Sequence, residues 1–264
     1  MGELSTYERG TFTYAGKQRD VYRKGEGPAV VVIAEMPGIT PTVVDFAERV
    51  VALGCTAVLP HLFGEPGAPL SPLRALRSLG PACISREFGA WARGRSTPVI
   101  DWCRALAAAE HARCGGPGVG VVGMCFTGGF ALAMATDPSV VAPVLSQPSL
   151  PLGVTAKARR AVQVSQAELA VVRSRMEDDP ELCVLGLRFT HDPLVPKERF
   201  AHLRELLGDR FVGVEIDSSP GNPWGHPRTA HSVLTEHLVD EPGQPTRDAL
   251  DQVLDLFRRR LLDA

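Results

Sequence analysis

The run Ala29-Val-Val-Val-Ile-Ala34 sets the strongest limit on what this chain can become. A strand with one solvated face alternates apolar and polar residues. A strand-length run with no polar break needs cover on both faces, as in a parallel sheet sandwiched between helices. Similar runs recur at Thr56–Leu59, Val119–Val122, Val140–Leu145, Leu182–Phe189 and Phe211–Ile216. Between them lie segments with helical spacing: Pro41–Leu53, Val99–Ala112, Phe126–Ala135, Gln166–Met176, Lys197–Leu207 and the tail Thr246–Leu262. Strand–helix alternation of this kind predicts an α/β fold, a mostly parallel central sheet with helices on both faces. Thr11–Tyr14 and Asp20–Tyr22 around Ala15-Gly-Lys17 read as an opening hairpin, about 11–24. Residues 64–98, rich in Gly, Pro, Ser and Arg, read as an excursion over the strand ends. No repeat or linker divides the chain, so 1–264 is expected to be one domain with its core at about 28–262.

Composition narrows the partners. With 264 residues, 44% hydrophobic and 22% charged, the chain can bury a core unaided. A net charge of −2 with interspersed signs gives no field to favour nucleic acid or a membrane surface. No apolar run is long enough to span a bilayer. The six cysteines form no C-x-x-C pair, no zinc-finger spacing accompanies them, and the first ten residues lack the apolar core of a secretory signal. These features predict a cytoplasmic protein, monomer or dimer, with a small-molecule ligand and without metal or cofactor.

In an open parallel sheet, ligands bind beyond the C-terminal ends of the strands, so chemistry is sought there. Gly118-Val-Gly-Val-Val-Gly123 spells G-x-G-x-x-G, but its valines are themselves the strand, whereas a dinucleotide site needs the strand to come first. Gly123-Met-Cys-Phe-Thr-Gly-Gly129 fits better as a nucleophile elbow, with Cys125 on a sharp turn between strand and helix. The helix start would favour a thiolate and a neighbouring oxyanion. Thr127 stands where the strict pattern has glycine, and an inert cysteine on a Gly-rich turn is the alternative reading, against which the flanking strand and helix argue.

A thiol nucleophile needs a base and a group that orients it. Asp192 follows the fifth buried run and reads as the orienting acid, or as a turn cap before Pro193. His231 is the preferred base over His226, which looks like a loop residue in Gly-His-Pro; His191 and His61 are weaker candidates. Glu35 closes the first run, where a carboxylate is costly unless paired. It reads as a group that contacts the thiol, or as the ion-pair partner of an arginine such as Arg86. The backbone N–H groups of Met36 and Phe126 are the expected oxyanion hole.

Taken together, Glu35, the elbow at Cys125, Asp192 and His231 resemble the dienelactone hydrolase family over roughly 28–262. The resemblance implies the α/β-hydrolase fold and hydrolysis of a small ester or lactone through a thioester on Cys125. It also implies that His231 is the base, Asp192 its orienter, and Glu35 a switch that holds the resting thiol. Family members acting on dienelactone use two arginines for the substrate carboxylate. Arg86 is in place for the first, but Ser-Val-Leu-Thr235 after His231 holds no second. Two other readings keep the fold: a ligand-binding protein with a silent triad, and a redox sensor, for which no sequence neighbour supplies a resolving thiol.

Overall fold

The structure is a computed structural model that describes residues 2–71 and 97–263. Eight strands form one sheet: β1 (Glu8–Tyr14), β2 (Lys17–Lys24), β3 (Ala29–Ile33), β4 (Thr56–Pro60), β5 (Val119–Met124), β6 (Val140–Ser146), β7 (Val184–Phe189) and β8 (Phe211–Ile216). Their spatial order is β1-β2-β4-β3-β5-β6-β7-β8. β1 and β2 add on antiparallel, and the strands from β4 to β8 run parallel. The helices are α1 (Pro41–Ala52), α2 (Pro98–Cys114), α3 (Phe130–Met134), α4 (Ala156–Arg160), α5 (Gln166–Asp178), α6 (Lys197–Leu207) and α7 (Pro245–Phe257).

Every residue of β3 to β7 is buried, which explains the unbroken apolar runs. Alternate side chains serve opposite faces. Val31, Ile33 and Val58 pack with Trp102, Leu106, Phe130, Leu169 and Phe200 from α2, α3, α5 and α6. Val30, Val32, Ala57 and Leu59 pack with Phe46, Val50, Leu250, Val253 and Phe257 from α1 and α7. The helices begin where the sequence supplies caps. Thr40 accepts the Val43 N–H at the head of α1, with Pro41 at its first position. Ser165 and Glu168 cap α5 reciprocally.

Two details around the elbow and the segment after β6 depart from the sequence reading. The segment expected as a helix from Phe126 opens instead as a single 3-10 turn, Cys125–Thr127, closed by Gly128 N–H to the Cys125 carbonyl at 3.0 Å. Regular helix starts only at Phe130. α4, five residues long, was not foreseen. It abuts Arg199, a cation 1% exposed. The guanidinium donates to four carbonyls: Pro148 (2.6 Å), Pro151 (2.5 Å), Ala158 (3.2 Å) and Ala161 (2.9 Å). It thereby ties the segment after β6 to α6.

Chain order reverses between β3 and β5: β4 lies to one side of β3 and the return strand β5 to the other. A crevice opens at such a reversal, beyond the strand ends. β3 and β5 are in register there, Ile33 beside Gly123, so Glu35 and Cys125 each stand two residues past the last shared rung.

Candidate active site

Cys125 has a φ of 52°, in the left-handed region that side chains avoid. Such strain persists only where the surroundings impose it. Here the neighbours leave no slack. A Cβ at Gly123 would meet the Thr127 carbonyl oxygen at 2.2 Å, and one at Gly128 would meet the Pro148 Cα at 2.6 Å. The Thr127 side chain is fully buried. Its hydroxyl accepts the Met124 N–H at 3.0 Å and lies 2.9 Å from the Ile33 carbonyl, to which it donates. The threonine that replaces the expected glycine therefore pins the elbow to the end of β3.

Asp192 follows β7 and is 4% exposed. One carboxylate oxygen accepts the Leu194 N–H at 2.9 Å, and the other lies 2.6 Å from Nδ1 of His231, in the loop after β8. That bond leaves Nε2 of His231 to face the thiol. Sγ of Cys125, a ring nitrogen of His231 and a Glu35 carboxylate oxygen all lie within 4.8 Å of one another. Burial opposes a charge on His231, but the Cys125 sulfur and the Asp192 carboxylate outweigh it and hold the imidazole well above its ordinary range.

Glu35 is 4% exposed and bonded to neutral donors. Ser232 Oγ donates to Oε2 at 2.5 Å, Thr235 Oγ1 donates to Oε1, and Gln147 Nε2 donates to Oε2 at 3.3 Å. Burial raises its pKa, and the two hydroxyls and the nearby imidazole only partly offset that. Thr235 thus fills the stretch where a second arginine was sought. Arg86, the expected substrate-binding residue and alternative partner of Glu35, lies outside the described residues.

The remaining candidates separate. His226 is buried against Phe189, ring centroids 5.1 Å apart, and burial lowers its pKa. His61 Nε2 lies 3.0 Å from the Gly64 carbonyl, and His191 Nδ1 lies 3.2 Å from Thr190 Oγ1. Met36 follows Glu35 at the end of β3, and Phe126 follows Cys125 in the turn, its ring 6.2 Å from that of Phe63.

Besides Thr235, four contributors escaped the sequence reading. Ser149 Oγ lies 3.6 Å from the Cys125 sulfur, and its N–H donates to the Cys125 carbonyl at 2.9 Å. Gln147, with φ 35°, braces both Glu35 and the Val233 N–H. His237 Nδ1 accepts the N–H groups of His231 (3.4 Å) and Ser232 (3.3 Å). Burial and the neighbouring His231 charge lower its pKa, which suits an acceptor. Ser232, next to His231 in sequence, is the fourth. A polar residue directly after a buried strand was the available signal for Gln147; Ser149 and His237 carry none.

A reversed parallel sheet with an elbow after β5, an acid after β7 and a histidine after β8 defines the α/β-hydrolase fold. More narrowly, the chain belongs to the dienelactone hydrolase family, whose sequence pattern matches residues 13–261. Among solved structures it is similar to a putative dienelactone hydrolase from Klebsiella pneumoniae subsp. pneumoniae (14% identity, TM-score 0.63, covering 96% of this chain and 98% of that one). It is also similar to a dienelactone hydrolase-like promiscuous phosphotriesterase from metagenomic libraries (17%, TM-score 0.61, 97% and 98%). A third is a dienelactone hydrolase from Anabaena variabilis (15%, TM-score 0.58, 97% and 98%). No curated protein sequence matches the chain. Among the described residues, no helix is long and apolar enough to cross a membrane.

Proposed function

We propose that this protein hydrolyses small esters or lactones through a thioester on Cys125. The observation that carries the reading is the 2.6 Å bond from Asp192 to Nδ1 of His231, which turns the other ring nitrogen toward the Cys125 sulfur. The Asp192 bond fixes the tautomer, and the raised imidazole basicity favours proton transfer from the thiol. In the proposed sequence the thiolate attacks the substrate carbonyl. The N–H groups of Phe126 and Met36 receive the oxyanion. The tetrahedral adduct expels the alkoxide, which takes the proton from His231. Water then gives a proton to His231 and attacks the thioester, and the acid leaves as the thiol regains its proton. In a lactone, alcohol and acid remain one molecule.

Glu35 is assigned to the same site. Its bonds to Ser232 and Thr235 hold the Glu35 side chain beside the thiol and the His231 ring. Its place beside the sulfur supports the role of a switch that holds the resting thiol. Arg86 is retained as the candidate for a substrate carboxylate.

The test is Cys125→Ala assayed on p-nitrophenyl acetate, with mass spectrometry of the wild-type protein quenched during turnover. The reading expects loss of hydrolysis and an acyl adduct on the peptide holding Cys125. Undiminished turnover in the variant overturns it.

A further inference from the structure

We propose that Cys125, His231 and Glu35 form a binding site for a single zinc ion that blocks the thiol reversibly. The three side chains offer one thiolate sulfur, one imidazole nitrogen and one carboxylate oxygen, all within 4.8 Å of one another. In a tetrahedral zinc site, bond lengths of about 2.0–2.3 Å put neighbouring ligand atoms about 3.5 Å apart. Side-chain rotations of roughly an ångström close that gap. Sulfur with imidazole selects zinc over magnesium or calcium, which prefer oxygen alone.

The free valences point the same way. Nε2 of His231 is buried, and the Cys125 sulfur it faces is its one neighbour among the described residues able to share a proton with it. Such a group is costly unless something occupies it. Nδ1 of the same ring is bonded to Asp192, the arrangement by which metal-bound histidines are oriented and made more basic. Glu35 is likewise oriented from behind by Ser232 and Thr235, and a carboxylate oxygen that accepts one hydrogen bond keeps a lone pair for a cation. So both the nitrogen and the oxygen ligand come with supporting bonds. Cys125 is only partly buried, which leaves a route in. A water would fill the fourth position, and Ser149 Oγ lies 3.6 Å from the sulfur.

Binding needs the thiolate, a neutral Nε2 and the ionised Glu35 carboxylate, so the thiol proton, and any proton on Nε2 or Glu35, pass to solvent; no electron moves. The bound ion occupies the lone pairs that would otherwise exchange a proton between sulfur and nitrogen. The metal site depends on that geometry alone. That zinc should also inhibit rests, in addition, on the hydrolase reading above.

The experiment titrates the purified, reduced, metal-free protein with zinc against a chromophoric chelator, and with cobalt(II) as a visible probe. One equivalent is expected, with the strong visible bands of tetrahedral cobalt and a thiolate charge-transfer band. Cys125→Ser should remove the charge-transfer band and weaken zinc at least about a hundredfold, and Asp192→Asn, which alters only a supporting bond, should weaken it about 10–100-fold. Glu35→Gln tests the third ligand and should also weaken binding. Zinc should protect Cys125 from alkylation, and a chelator should restore the reaction. Wild-type affinity in Cys125→Ser, or no protection of the thiol, overturns the proposal; wild-type affinity in Glu35→Gln overturns the three-ligand assignment. A protein that binds zinc in this way yet hydrolyses no ester leaves the metal site standing and sinks the hydrolase reading instead.

Discussion

Replacing Thr127 by valine keeps the shape of a fully buried side chain and removes only its hydroxyl. That hydroxyl accepts the Met124 N–H at 3.0 Å and reaches the carbonyls of Ile33 (2.9 Å), Met124 (3.0 Å) and Ala34 (3.3 Å), of which Ile33 is nearest. In the variant the Met124 N–H is buried without a partner, which costs about 1–3 kcal/mol, and the Ile33 carbonyl loses a bond worth about 1 kcal/mol. The sum is about 2–4 kcal/mol. In a chain of this size each kcal/mol lowers Tm by about 2–4 °C, so Thr127→Val should unfold roughly 5–15 °C below the wild type. Thr127→Ser keeps the hydroxyl and should recover most of the loss. Urea unfolding followed by circular dichroism should show a lower midpoint at unchanged slope. Because the bond to Ile33 spans β3 and the elbow, ester turnover should fall in the valine variant and return in the serine variant. A valine variant as stable as the wild type, or a serine variant as unstable as the valine one, refutes the claim that this hydroxyl ties the two strand ends together.

Other perturbations separate the remaining roles. Asp192→Asn should lower kcat/KM on p-nitrophenyl acetate on the order of a thousandfold or more, because an amide no longer enforces the tautomer; near-wild-type turnover would remove Asp192 from the site. Since the pKa of His231 is raised, the stability its charged form contributes is complete below about 6.5 and is lost as pH climbs through the higher folded value. The Tm gap between wild type and His231→Gln should therefore narrow on alkaline titration, and a gap constant with pH contradicts this. The pKa of Glu35 is raised as well, so the fold prefers it protonated and loses stability as pH rises from about 4.3 through the folded value. Glu35→Gln should gain Tm relative to wild type between acid and neutral pH; the same difference at both ends sinks that assignment. Glu110 is 2% exposed and accepts two bonds from Arg23, at 2.8 and 2.6 Å, and one from Arg113 at 2.7 Å. Glu110→Ala should cost about 3–5 kcal/mol by stranding Arg23, measured by denaturant unfolding.

How much of this was legible in the sequence depended on the range of the interaction. β3 to β7 were plain because both faces of each are covered, and burial on both faces writes itself into composition. β1 was clipped at Thr11, since Glu8 to Gly10 lie on an antiparallel edge where exposed residues are tolerated. Apolar spacing from Phe126 to Ala135 suggested one helix, but a side-chain hydroxyl and a left-handed cysteine impose a tighter turn first. Cys125, Asp192 and His231 could be singled out as candidates because each follows a recognisable strand. The partners of Glu35 were not, because Ser232 and Thr235 lie about two hundred residues away and hydroxyls announce nothing by their spacing.

The four carbonyls held by Arg199 also govern how this region opens. Between Gln147 and Val164 the chain has one five-residue helix and little other regular structure, so it would ordinarily fray early. Instead its backbone is fastened at four points to a cation rooted in α6, with a pKa that burial and the charge of Arg159 push down to about 10. Pulling the segment away as a whole strands a buried charge, so the segment and α6 should open together. Amide exchange around Ala158 and Ala161 should then be as slow as in α6 itself, and a protease should find no early cut there. The loop beside the thiol is, in cooperative terms, part of the core.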